Sequence, residues 1–312
     1  MSRRSSRRRF DDDDLHDPHL HDPHLHDSHI HDPHLHDPHL HDPDDSSETR
    51  RARATSDEQS DEPCWSSYPD AAHGPSPLPD WVITSPAAID TDLGVLKTGK
   101  EAEVSLLRRD HEQRSSMLAV KRYRAAHHRN FHRDAVYLEG RRTRFSRENR
   151  AMDTRTDFGR SLIAGQWAVA EFAVLGRLWS SGVAVPYPVQ LNGTELMMEF
   201  IGDADGVAAP RLAELRPSRV DCAALFEQLR VALLGLAVVG YTHGDLSAYN
   251  VLVHAGRLVL IDVPQAVDLV GNTQGLALLE RDCRNIAHWF ESRGFPFDVD
   301  GLARDLRAAM IS

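Results

Sequence analysis

The stretch YTHGDLSAYNVLVHAGRLVLID, residues 241–262, narrows the folds open to this chain more than any other. Two apolar runs flank Ala255-Gly256, a composition that calls for a tight hairpin. A hairpin there returns Asp262 to the side of Asn250. Asp262 closes an apolar run, where a carboxylate is poorly solvated unless a cation such as magnesium stands beside it. His243 and Asp245 lie just before Asn250, so a single loop and hairpin deliver two carboxylates and an amide to one place.

Upstream, LGVLKTGKEAEVSLLRR (93–109) carries Gly94 and Gly99-Lys100 at nearly Walker A spacing. Glu101 stands where that motif needs a Ser or Thr for magnesium, and AEVSLLRR reads as a strand rather than a helix. The alternative is a strand–glycine turn–strand, the device by which protein kinases cover nucleotide phosphates with backbone N–H groups. Lys97, Thr98, Gly99, Lys100 and Glu101 then form the phosphate-side turn. On its own the glycine pair is also what an ordinary hairpin would carry.

The following strand, MLAVKRY, ends its apolar run at Lys121, as in the kinase strand that aims one lysine at the α- and β-phosphates. Such a lysine needs a carboxylate on a helix. Residues 159–182, with Leu162, Trp167, Ala170, Val174, Leu175 and Leu178 at helical spacing and Gly182 as terminator, supply Glu171 amid apolar neighbours. A buried carboxylate is costly unless paired, so an ion pair with Lys121 is expected. YPVQLNGTELMMEFIG (187–202) reads as two strands around Asn192-Gly193. They lead into Met198-Glu199-Phe200-Ile201; in a kinase this strand becomes the hinge, where backbone groups, here those of Glu199 and Ile201, bond the adenine edge. Residues 218–240 read as a helix capped by Ser218.

The chain has 312 residues and a net charge of −11. Residues 1–79 hold 8 Lys/Arg against 18 Asp/Glu, a net of −10, so the remainder is close to neutral. Within that tail, LHDPHLHDPHLHDSHIHDPHLHDPHLHDP repeats every five residues, a period of neither helix nor strand, with proline blocking both. It reads as a disordered low-complexity segment. Its histidines, between positions 16 and 41, also make it a candidate tract for divalent zinc, nickel or copper. Residues 44–79 read as linker, giving a tail over 1–79 and a folded domain over 80–312. Three widely spaced cysteines and no apolar run of spanning length point to a reducing, cytoplasmic setting without a membrane. Residues 122–160 carry eleven Arg against five acidic residues, a loop suited to RNA or simply to solvent.

KTGKEAEV, LAVKRY, GQWAVAEF, MMEFIG, APRL, THGDLSAYN, LVLIDVPQAV and LLERDCRNI occur in the order seen in RIO-type atypical protein kinases. Over residues 84–295 the chain resembles that family, and most of all the subfamily with a Ser-Thr-Gly-Lys-Glu-Ala loop. The resemblance implies an α+β, two-lobed kinase-like fold, with a small β-rich lobe over about 80–200 and a reduced helical lobe over 201–312. It implies an ATP-dependent serine/threonine kinase using magnesium, or manganese in its place. Lys121 would pair with Glu171, Asp245 would be the catalytic Asp, and Asn250 and Asp262 would hold the metal. It also implies that Asp262 accepts phosphate as an acyl phosphate, which is ATPase behaviour. A protein substrate, a ribosomal particle or RNA at 122–160, and autophosphorylation at Thr143 or Ser146 follow as expectations. Lys97, Gly244, Ala248 and Pro264 depart from the family's usual Ser, Ala, Glu and Ser.

Gly244 also stands where ordinary kinases place an arginine that neutralises an activation-loop phosphate. Only fifty residues follow Asp262, too few for that loop and a full substrate lobe, so the arginine would have no partner. Two other readings stay open. Aminoglycoside- or choline-type phosphotransferases share His-Gly-Asp-Leu with an Asn five on, but need a large helical lobe. An ATP-binding switch or scaffold in ribonucleoprotein assembly would use the same residues without a dedicated substrate.

Overall fold

The computed structural model describes residues 64–124, 157–263, 266–269 and 271–311. The His-rich tract and all but the ends of the basic segment 122–160 lie outside them, as do Pro264 and Gln265. Strands β1 (Ala72–His73), β2 (Ile89–Thr98), β3 (Ala102–His111), β4 (Arg114–Tyr123), β5 (Pro188–Asn192) and β6 (Glu195–Glu199) form one sheet of order β1-β5-β6-β4-β3-β2. Every pairing in it is antiparallel. Helix α1 (Asp157–Ser180) lies against β5, β4 and β6.

Alternation along β4 decides what each face does. Leu118 and Val120 enter a compact apolar cluster with Tyr68, Val82, Leu107, Tyr187, Val189 and Met197. Lys121 and Tyr123, two residues apart, share a face with α1, and Tyr123 joins the main core beside Ala168, Leu175 and Leu178. Helix α1 stops where glycine permits it: Gly182 has φ +76. Its N–H donates to Trp179 O at 2.9 Å and that of Val183 to Leu178 O at 3.0 Å, a Schellman close.

The helical lobe contains α2 (Arg219–Val238), α3 (Gly275–Glu291) and α4 (Val299–Ala309), with two antiparallel pairs of short strands, β7 (Tyr241–Thr242) with β10 (Val267–Asp268) and the hairpin β8 (Val251–His254) with β9 (Arg257–Leu260). A capping box starts α2: Ser218 Oγ accepts Asp221 N–H at 3.2 Å while Asp221 Oδ2 accepts Ser218 N–H at 3.3 Å. Leu225, Leu229, Leu233 and Leu236 bury one stripe of α2, each contributing roughly 1.5–3 kcal/mol over an exposed position. Ala255 (φ 48) and Gly256 (φ 75) make the β8–β9 turn, both left-handed as a type I′ turn requires. Among the described residues no helix is long and apolar enough to cross a membrane.

One boundary moves. Residues 64–79, expected as linker, are folded onto the sheet. Trp65 bridges Ile89, β1 adds an edge strand to β5, and Tyr68 is buried. Arg109 explains why this is stable. Its guanidinium is fully buried and donates to both Asp90 oxygens at 2.7 and 2.8 Å and to Gln190 Oε1 at 2.9 Å. Gln190 Nε2 in turn donates to Ser67 Oγ at 2.9 Å, so the upstream segment completes a polar network inside the lobe. The Ser-, Asp- and Pro-rich composition concealed the anchors Trp65 and Tyr68.

Candidate active site

Sheet and helical lobe meet at Lys121. Its Nζ lies 2.9 Å from Glu171 Oε1 and 3.0 Å from Asp262 Oδ1. Lys121 and Glu171 are buried, whereas the Asp262 side chain is 45% exposed, so the pair points from the core to an open edge. Burial pulls the Lys121 pKa down, but the two carboxylates outweigh it and hold it above the ordinary lysine value. Burial pushes Glu171 up, against the opposing pull of Lys121 and with a further push from Asp262. At Asp262 burial also works upward, yet Lys121, its hydrogen bond, His243 and Lys97 together hold the carboxyl below its usual range.

Asp262 has φ +61, a left-handed conformation that Asp tolerates better than most side chains. Sparsely populated backbone of this kind persists where its surroundings enforce it. Here Ile261 N–H donates to Asn250 O at 3.0 Å, and His243 Nε2 donates to Ile261 O at 3.0 Å. His243 is fully buried, so the loop before β8 and the end of β9 are tied together directly. Asn250 Nδ2 donates to Asp245 O at 2.9 Å, which fixes the turn between them. Asp245 itself is half-buried.

Asp282, on α3, was not singled out from sequence. Its buried carboxylate takes three bonds from the loop: Thr242 Oγ1 at 2.8 Å, Gly244 N–H at 2.7 Å and Leu246 N–H at 2.9 Å. Arg281 donates to Gly244 O. Gly244 has φ +82 and is buried, so glycine meets a backbone demand here. A signal for Asp282 existed: with Leu278, Leu279, Cys283 and Ile286 it occupies the buried stripe of α3, where a carboxylate must have partners.

The glycine turn between β2 and β3 is a strand–turn–strand, with Lys97, Thr98, Lys100 and Glu101 exposed around Gly99. Gly99 N–H donates to Ala102 O at 2.8 Å and Arg124 N–H to Glu101 O at 2.9 Å, which ties the turn to the end of β4. At the hinge, Glu199 Oε2 accepts Tyr187 N–H at 3.1 Å, so this carboxylate serves the scaffold. Ile201 O accepts Ala209 N–H at 2.9 Å.

Asp262 and Asn250 offer hard oxygen donors, the kind magnesium takes. Among the described residues no group of three or more His, Cys, Asp or Glu is placed to enclose a metal. That set fits an ion that keeps much of its shell for phosphate oxygens and water, and does not fit a fully protein-bound zinc.

A two-lobed fold whose sheet and helical parts meet at a buried lysine–carboxylate pair, with a His-x-Asp loop nearby, is a kinase-like fold. The model of the RIO domain matches residues 106–302. The chain is similar to the RIO-type serine/threonine-protein kinase Rio1 of Haloferax volcanii, 38% identical over 69% of this chain and 68% of that one. It is also similar to the serine/threonine-protein kinase RIO1 of Chaetomium thermophilum, 32% identical over 64% of this chain but only 39% of the relative's length. Among solved structures, the Rio2 kinase–ADP/Mg2+–phosphoaspartate complex from Chaetomium thermophilum aligns with a TM-score of 0.48 at 20% identity, covering 70% of this chain and 64% of that chain. The chain belongs to the RIO family of atypical kinases.

Proposed function

We propose that this chain is an ATP- and magnesium-dependent serine/threonine protein kinase of the RIO type. The observation that carries the reading is Lys121, held at 2.9 and 3.0 Å between Glu171 and Asp262. An ammonium so placed, and charged at every working pH, binds and orients the α- and β-phosphates. The glycine turn at 97–101 would cover the phosphates, and backbone at Glu199 and Ile201 would meet the base. Asp245 accepts the proton of a substrate Ser or Thr hydroxyl, its loop locked by Asn250 and Asp282. Asn250 and Asp262 would hold magnesium, which when bound neutralises charge on the phosphate oxygens.

A second role rests on the exposed, left-handed Asp262. A carboxylate kept ionised at the mouth of the site is itself a nucleophile for the γ-phosphorus of ATP: the bond to ADP breaks, ADP leaves, and water then hydrolyses the acyl phosphate to inorganic phosphate and the free carboxylate. The protein substrate, a ribosomal or RNA partner at 122–160 and metal binding at 16–41 belong to segments outside the described residues or to the partner alone. They are proposed on sequence grounds. The small-molecule phosphotransferase has no observation in its favour beyond the His-Gly-Asp-Leu loop that both readings share.

The test is turnover of labelled ATP by the full chain with magnesium. Transfer to protein or release of phosphate is expected. Asp262→Asn should abolish it, and Asp245→Ala should reduce transfer while nucleotide still binds. Hydroxylamine-labile label on the parent would identify the acyl phosphate. Activity equal to the parent in both variants would sink the reading.

A further inference from the structure

We propose that Tyr123 is a positioning residue of the nucleotide site, its phenol fixing the carboxylate of Glu171 so that Lys121 stays aimed at the phosphates. This rests on the kinase reading above. Glu171 is buried to 2% exposure and has two oxygens to satisfy. Oε1 takes the Lys121 ammonium at 2.9 Å, and Oε2 takes the O–H of Tyr123. A lone ion pair between a flexible lysine and a carboxylate leaves the carboxylate free to rotate about its last bond. A donor on the second oxygen removes that freedom.

The donor is well suited to the task. Tyr123 sits two residues beyond Lys121 on β4, so the pleat sends both side chains to the α1 face. Its own N–H donates to Thr194 O at 3.0 Å, which pins the strand end from which the ring projects. The ring is buried, with its centroid 5.3 Å from Lys121 Nζ, and so flanks the ammonium as well as the carboxylate. Burial and the neighbouring Glu171 anion keep the phenol protonated, so it is a constant donor.

The alternative partner shows why this matters. Lys121 is already shared with Asp262 at 3.0 Å. If Glu171 turns away, the ammonium is left to Asp262, the same carboxylate proposed for the cation. Tyr123 thereby keeps Glu171 on Lys121, so that Asp262 is not its sole partner.

Tyr123→Phe removes one oxygen and keeps the ring. In the full chain it should raise KM for magnesium–ATP about tenfold, the scale of one charge-assisted hydrogen bond, with a much smaller change in kcat. The effect should vanish in a Glu171→Gln background, because the two residues act as one unit. A Tyr123→Phe variant with lowered Tm but unchanged KM would make Tyr123 structural only and overturn the proposal. So would KM effects that multiply in the double variant. A parent that turns over ATP beside an unaltered Tyr123→Phe variant defeats this inference alone; a parent that neither binds nor hydrolyses ATP defeats the kinase reading with it.

Discussion

Asp282 Oδ2 accepts the N–H of Gly244 at 2.7 Å across 38 residues of chain, and the same carboxylate holds Thr242 and Leu246. The loop bearing Asp245 is therefore hung from helix α3 as well as held by its own Asn250–Asp245 contact. Asp282→Asn keeps the shape but presents an NH2 group to donors. Each weakened bond to a buried charge costs roughly 1.5–3 kcal/mol. A Tm several degrees lower is expected, with phosphotransfer falling more than nucleotide affinity; calorimetry and nucleotide titration would separate the two.

Gly244 offers a direct test of why the usual kinase arginine is absent. At φ +82 any other residue costs roughly 1–2 kcal/mol of backbone strain, and an arginine at this buried position must also carry its charge out of the interior. Gly244→Arg, which writes the ordinary kinase motif into this loop, should lower kcat at least about tenfold rather than raise it. A rise in steady-state transfer would contradict the backbone argument.

The Asp90–Arg109 pair should govern stability without touching catalysis. Asp90→Ala strands a fully buried guanidinium, a change of about 3–5 kcal/mol. Asp90 lies at the end of β2 remote from the glycine turn, roughly 25 Å along the strand. Denaturant midpoints should fall sharply while KM for ATP, measured below the new midpoint, stays at the parent value.

The cysteines predict an alkaline limit. Burial, with the neighbouring Asp282 charge, pushes the Cys283 thiol up to about 12 from 9.0. A pKa raised on folding contributes stability that is whole below the unfolded value and lost as pH rises toward the folded one, here between about 9 and 12. Unfolding free energy should decline across that window, and Cys283→Ser should flatten the decline. In native protein at pH 8 a thiol reagent should modify exposed Cys64 and spare buried Cys222 and Cys283.

Local chemistry was readable in the letters. The Ser218 cap with Asp221, the Gly182 stop, the turns at Gly193 and Ala255-Gly256, and the alternation that puts Lys121 on the helix side of β4 all follow from neighbours within a few residues. The Lys121–Glu171 contact was also foreseeable, since a carboxylate inside an apolar helical stretch needs a cation.

The linear order of residues thus determined the strands, turns, caps and the set of charged groups that had to find partners. It left open which partners they found over long separations. That Asp282 suspends the loop at 242–246, that Tyr123 shares Glu171 with Lys121, and that residues 64–79 complete the network around Arg109 were decided by folding alone. The reason is physical. A buried polar atom must be satisfied, but only the packed chain determines which distant group is close enough to satisfy it.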